Sequence, residues 1–184
     1  MMSNDEGVLR EADALVLPGV GAFGACMKAL SALRFDELVH ERVAQGTPLL
    51  GVCVGMQMLF EESEEFGKTS GLGLLRGRVR RFPDDLLAPQ VGWNQVRQRS
   101  VHPLLADIED NAFFYFVHSY FPEAQVGDCA APGRLRQAWC DYGVRFAAAI
   151  EAGPICATQF HPEKSQKAGI RLLENFAALV KEWR

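Results

Sequence analysis

The sequence predicts an α/β domain: a mixed, mainly parallel central sheet flanked by helices, with an antiparallel hairpin region in its middle. Three observations lead there. Two early apolar runs, Ala14-Leu15-Val16-Leu17 and Leu49-Leu50-Gly51-Val52, each meet a glycine turn and then a helical pattern, as parallel strands joined by crossovers do. From Leu74 onward, short strand-like runs alternate with Pro, Gly, Asp and Asn. The chain then closes on a helical period.

Taken in order, Ala14 to Leu17 is the first strand, and Pro18 to Gly24 is a glycine-rich turn. One helical pattern follows through Met27, Leu30, Leu33, Leu38 and Val43. Thr47 to Phe60 reads as strand, abrupt turn and helix, with Met56, Leu59 and Phe60 at helical spacing and Glu61 to Gly67 an acidic helix end and loop. Strands are expected at 74–79, 91–96, 112–120, 135–140, 144–150 and 155–160, with Asp141-Tyr142-Gly143 a hairpin turn. Ser165 is placed to cap a last helix whose Ile170, Leu173, Phe176, Ala177, Val180 and Trp183 form the apolar stripe. No repeat, low-complexity tract or linker interrupts the chain, so residues 1–184 are expected to form a single domain.

Composition narrows the function classes. A hydrophobic content of 48%, a charged content of 23% and a net charge of -4 describe a soluble globular chain with no field to attract nucleic acid. The basic run Arg76 to Arg81 alternates in the manner of a strand's wet face. No apolar run approaches the ~20 residues of a membrane span, and the acidic start lacks the regions of a secretory signal. The five cysteines form neither a C-x-x-C pair nor a zinc-like cluster, which points to reduced thiols, a cytoplasmic location and no metal.

The chemistry concentrates at two places. Gly51-Val52-Cys53-Val54-Gly55 has the form of a nucleophile elbow, where flanking glycines permit a sharp turn and a thiol at the helix mouth feels the positive end of the dipole. Alone, Cys53 reads equally as a small buried hydrophobe. Gly19 to Gly24 matches G-x-G-x-x-G, but no acidic residue ends the next strand to hold a ribose, so exposed N–H groups for an oxyanion are the better role. His161-Pro162-Glu163 follows a strand. Pro162 holds His161 extended, and Glu163, two residues on, can fix the imidazole tautomer. Elbow, loop and strand-end His-x-Glu together permit a Cys53–His161–Glu163 triad at the carboxyl edge of the sheet.

The segment Gly51 to Gln57 with His161-Pro162-Glu163 resembles the class I glutamine amidotransferases. Pro18 to Phe23, Glu61 to Glu65, Gly92-Trp93-Asn94, His118-Ser119-Tyr120 and His161 to Ser165 are similar to one branch of that family, the glutaminase subunits of histidine biosynthesis. The resemblance spans Asp13 to the C-terminus. It implies the family's flavodoxin-like fold without the N-terminal βα unit of roughly 35 residues that members usually carry before the first strand seen here. It implies glutamine as substrate, Cys53 as nucleophile, His161 as proton carrier, Glu163 as its orienting group, and Val20, Gly21 and Val54 at the oxyanion. It places Gln57, Glu65, Ser119 and Tyr120 in the glutamine pocket, with Glu65 turned inward from an otherwise solvated acidic run. It also implies a heterodimer in which a separate (β/α)8-barrel cyclase uses the ammonia, with Trp93, Asn94, Tyr115 and Lys164 facing that partner. No cofactor is implied. Gln90 stands where a histidine is common. The competing readings are a glutaminase serving anthranilate or aminodeoxychorismate synthesis, a catalytically silent binding subunit, and a γ-glutamyl peptidase.

Overall fold

In a computed structural model of the chain, residues 3–98, 102–129 and 135–183 are described, the side chains of 124–129 excepted. A short helix, α1 (Glu6–Glu11), opens the chain and is capped by the Asp5 carboxylate, which accepts from the Val8 N–H at 3.1 Å. Then come β1 (Leu15–Gly19), α2 (Phe23–Ala32), α3 (Phe35–Ala44), β2 (Leu49–Cys53) and α4 (Val54–Met58). Strands β3 (Phe60–Ser63), β4 (Thr69–Ser70), β5 (Leu75–Arg81), β6 (Gln90–Gln98), β7 (Ala112–His118), β8 (Tyr120–Cys129), β9 (Arg136–Tyr142), β10 (Val144–Ala152) and β11 (Ile155–Thr158) follow, and α5 (Gln166–Glu182) ends the order.

Seven strands form the main sheet in the order β1-β2-β11-β10-β9-β6-β7, and β4-β3-β5-β8 form a second sheet. In the main sheet only β1–β2 and β2–β11 pair parallel. The other pairs, β11–β10, β10–β9, β9–β6 and β6–β7, are antiparallel. The sheet is mixed, as expected, but its parallel share is smaller than expected. Beyond α4 the strands return through turns and hairpins, and parallel pairing requires a long crossover. The anticipated turn at Asp141 to Gly143 is the β9–β10 hairpin, with Gly143 at φ +67°.

Strand β2 is buried along its whole length, as a central strand covered on both faces must be. Its neighbours bring the two chemically loaded segments together. Gly19 at the end of β1 lies opposite Cys53, and β11, which leads to His161, pairs with β2 on the other side. Phe114 stacks on Phe160 at 4.1 Å between centroids, and Phe116 meets Phe160 edge-on, so β7 packs against the segment entering the histidine.

Four local expectations change. The single helix after β1 is two helices, broken where Arg34 takes the left-handed conformation (φ 56°) and bonds Glu37. The helix after Cys53 stops at Met58, and Phe60 with the first acidic residues forms strand β3 against β5. The strand predicted at 112–120 divides at Ser119, with Tyr120 starting β8 in the other sheet. Ser165 stands at the N-terminus of α5 without capping it, because its hydroxyl donates to the His161 carbonyl at 2.6 Å and accepts from the Tyr115 N–H at 3.0 Å. The buried face of α5 is Gly169, Leu172, Phe176 and Leu179, whereas Ile170 and Leu173 are exposed.

Close approach, more than turning, explains Gly55. A Cβ at this position would lie 1.8 Å from the Leu17 carbonyl oxygen, so α4 can rest on β1 only without one. Gly55→Ala is expected to destabilise the fold by about 3 kcal/mol or more, since the obstructing atom is backbone and cannot swing away. Chemical denaturation checks this; an unchanged midpoint would show that α4 can lift off β1 freely.

Candidate active site

Cys53 ends β2 with φ 53° and ψ −112°, a conformation costing a non-glycine residue about 1–3 kcal/mol. The strain is local to the point where strand becomes helix, as a nucleophile elbow requires. The thiol sits in a cavity of about 370 Å³ whose wall also includes Gly19, Val20, Gly21, Val54, Gln57, Glu65, Ser119, Tyr120, His161 and Lys164. Sequence positions more than a hundred residues apart thus meet in one pocket. Asn94, Trp93, Tyr115 and Glu163 do not line it.

His161 is buried, and its Nδ1–H donates to the Glu163 carboxylate at 2.7 Å. That bond leaves Nε2 with a lone pair, as a proton acceptor needs. The expected partnership forms, though by another path: Pro162–Lys164 is a 3-10 turn, so Glu163 folds back to the ring instead of sharing one face of an extended segment.

At the mouth of α4 the Val54 N–H does favour the thiolate, but burial outweighs it. Helix α4 has five residues, and burial pushes the Cys53 thiol up to about 11, with the Val54 N–H and the Lys164 charge acting in the other direction. The thiol donates to the Val117 carbonyl at 3.9 Å, and its sulfur accepts from the Gln159 side-chain amide at 3.8 Å. Val117 and Gln159 were not expected at the site. Gln159 carried a faint signal, since it lies two residues before His161 on the segment leaving β11.

Around the rest of the pocket, Gln57 is almost fully buried, and its amide donates to the Tyr120 carbonyl at 2.8 Å and to the Gln159 side-chain oxygen at 3.1 Å. Glu65 does turn inward and accepts from the Phe23 N–H at the start of α2 at 2.6 Å. Glu61 and Glu64 accept from the β5 backbone N–H groups of Gly77 and Arg81. Val20 is exposed, and its carbonyl accepts from the Cys26 thiol at 3.5 Å. His118, also on the wall, donates from Nδ1 to the Tyr120 carbonyl at 2.8 Å, and burial lowers its pKa to about 4.

At the cavity edge, Lys164 Nζ lies 5.8 Å from the Tyr115 ring centroid, and outside it Trp93 meets Tyr115 edge-on at 6.1 Å. Trp93 and Tyr115 are directly paired across β6 and β7, and exposed Val91 and Phe113 lie on the same face. Asn94 donates to the Asp141 carbonyl at 3.1 Å. Arg78 and Arg80 of the basic run pair with Glu123 at the surface. Among the described residues, Cys26, Cys53, Cys140 and Cys156 are free, no cluster of metal-ligand type forms, and no helix is long and apolar enough to cross a membrane.

Fold and cavity together are those of an α/β protein with a cysteine on a strand-to-helix elbow and a carboxylate-held histidine in the same pocket. The chain belongs to the class I glutamine amidotransferase family, whose match, described as "Glutamine amidotransferase class-I", covers residues 3–180. It is 48% identical to "Imidazole glycerol phosphate synthase subunit HisH 1" of Pseudomonas aeruginosa, over 100% of this chain and 86% of that protein. It is 44% identical to the HisH subunit of the same synthase from Acinetobacter baylyi, over 99% of this chain and 85% of that one. Among solved structures, a glutamine amidotransferase superposes with a TM-score of 0.72 at 20% identity, over 97% of this chain and 85% of that one. The glutaminase domain of Trypanosoma brucei CTPS with bound acivicin gives 0.61 at 18% identity, over 94% and 74%. At these identities the structural likeness concerns the fold.

Proposed function

We propose that this chain is the glutaminase subunit of an imidazole glycerol phosphate synthase. It hydrolyses glutamine to glutamate and ammonia through Cys53, His161 and Glu163. The ammonia is passed to a (β/α)8-barrel cyclase subunit, which forms imidazole glycerol phosphate and aminoimidazole carboxamide ribotide. The observation that carries the reading is the 2.7 Å bond from Glu163 to the buried His161, whose ring lines the pocket that also holds the Cys53 thiol.

The residues assign the steps. His161 Nε2 takes the thiol proton, and the sulfur attacks the side-chain amide carbon of glutamine. The oxygen left negative is stabilised by the Val54 N–H and by N–H groups of the Val20-Gly21 loop once its peptide reorients. His161 returns the proton to the departing nitrogen, giving ammonia and a γ-glutamyl thioester. Water, deprotonated by the same ring, then releases glutamate and restores the thiol. Glu163 holds Nδ1–H throughout, so the basic nitrogen stays directed at the reaction. Glu65 would pair the substrate's α-amino group, with Gln57, Ser119 and Tyr120 completing the pocket.

The mouth of this pocket suggests where the partner sits. The apolar face carrying Val91, Trp93, Phe113 and Tyr115, together with Lys164 at the cavity edge, suits a surface covered by another subunit. A thiol held near 11 also fits an enzyme that turns over slowly until that surface is covered.

The test is reconstitution. The purified chain is mixed separately with the barrel cyclase, an anthranilate synthase and an aminodeoxychorismate synthase, and glutamine-dependent product formation is followed. The expected result is glutamine dependence gained by the cyclase alone, by at least about tenfold. Gain by another synthase instead would assign the chain to that pathway.

A further inference from the structure

We propose that Gln159 is the side-chain hydrogen-bond donor to the nucleophilic sulfur of Cys53, and that through Gln57 it ties this sulfur to the substrate-facing backbone of Tyr120. The inference rests on the reading of Cys53 as the nucleophile.

The sulfur is surrounded by groups of opposite effect. The Val117 carbonyl, 3.9 Å away, can only accept, so it favours the protonated thiol and opposes the anion. The Gln159 Nε2–H, 3.8 Å away, can only donate, and its attraction grows as the sulfur becomes negative. Gln159 is fully buried, so its amide has no solvent to turn to and stays committed to these partners.

The direction of the Gln159 amide is fixed by its other end. Its Oε1 accepts from Gln57 Nε2 at 3.1 Å, and Gln57 Nε2 also donates to the Tyr120 carbonyl at 2.8 Å. Rotating the Gln159 amide by half a turn would set two NH₂ groups against each other and point an oxygen at the sulfur. Both changes are unfavourable in a buried site, so the NH₂ faces Cys53. The Gln159 backbone N–H is itself anchored to the Ala148 carbonyl at 2.8 Å. Tyr120 on β8, Gln57 on α4 and Gln159 beyond β11 therefore form one chain of hydrogen bonds ending on the sulfur. A substrate seated against Tyr120 presses on the same chain that positions the nucleophile.

Gln159→Leu removes the donor at similar size, and Gln159→Glu replaces it with an acceptor. Alkylation of Cys53 by iodoacetamide is followed on the Cys53 peptide by mass spectrometry from pH 6 to 11, using the whole chain without partner. At pH 8 the rate is expected to fall about tenfold in Gln159→Leu, corresponding to an apparent pKa raised by about one unit, and further in Gln159→Glu. With partner present, kcat for glutamine is expected to fall more than KM rises. Gln57→Met, which removes both the link to Tyr120 and the bond that orients the Gln159 amide while leaving the Gln159 donor in place, is expected to give a smaller shift in the same direction and keeps the test available if a position-159 variant does not fold. Alkylation profiles superimposable on the wild type in the folded variants, even with reduced turnover, would overturn the proposal and leave Gln159 a packing residue. A wild-type chain that never hydrolyses glutamine, with or without the cyclase, would instead remove the glutaminase reading, and the profiles would still decide the bond to sulfur.

Discussion

Cys53→Ala is expected to lower glutamine hydrolysis by on the order of 10⁴-fold or more while leaving ammonia-dependent synthesis by the cyclase at its wild-type level. Removing a covalent nucleophile removes the whole two-step route, and what remains is hydrolysis helped only by binding and oxyanion contacts. The second half of the expectation separates chemistry from folding. Alanine must adopt the same φ of 53° as cysteine, so the elbow keeps its geometry and strain, and Val54 to Met58 remain helical. A partner supplied with ammonia then meets an intact subunit. Glutamate release from the alanine variant at even one-hundredth of the wild-type rate would place the nucleophile elsewhere.

This prediction was available from the sequence because an elbow is a local device. Gly51, Gly55 and the change from strand to helix lie within a few residues of Cys53, and each has a backbone reason that a pattern reveals. His161 and Glu163 were legible for the same cause: they are two residues apart, and their bond needs no information from the rest of the chain. What the pattern did not contain was the environment of the sulfur. Burial holds Cys53 as a thiol, and the groups against its sulfur, Gln159 and Val117, come from separate segments of the chain.

The errors in the fold have a common physical origin. Leu59 and Phe60 fit a helical period, but Leu59 O accepts from Leu75 N at 2.9 Å and Phe60 begins a strand paired with β5, so a distant ladder overrode local spacing. In α5 two apolar stripes lie one residue apart, Gly169-Leu172-Phe176-Leu179 and Ile170-Leu173-Ala177-Val180, and periodicity cannot choose between them. Packing chooses the first, because a Cβ at residue 169 would fall 1.9 Å from the Pro162 carbonyl oxygen, so the helix can seat there only on its glycine. Ser165 illustrates the converse: a good capping residue gave its hydroxyl to His161 and Tyr115, which fastens the turn carrying the histidine to β7.

Acid is expected to destabilise the fold through His118. Its ring lies among Phe82, Phe116 and Phe146 with centroids 5.1, 5.7 and 5.2 Å away, its Nδ1–H is held by the Tyr120 carbonyl, and its Nε2 has no partner. Burial brings its folded pKa to about 4, against about 6.5 in an unfolded chain. Between these values the unfolded chain carries a proton that the folded one refuses, so stability rises with pH by about 1.4 kcal/mol per unit and is lost as pH falls from 6.5 towards 4. His118 alone accounts for about 3 kcal/mol over that window, a large fraction of the 5–15 kcal/mol that holds a domain together. His102, likewise lowered to about 4 by burial, acts in the same direction. Its neighbour Glu151 opposes it: burial raises that carboxyl, so the folded state gains a proton there over an overlapping range. His118→Phe, which keeps the aromatic packing and removes the titrating nitrogen, is expected to flatten the decline in unfolding free energy measured by urea denaturation between pH 7 and 4.5. An equally steep decline in the variant would show that the proton goes elsewhere, and a wild-type chain equally stable at both pH values would show that the ring at 118 reaches water.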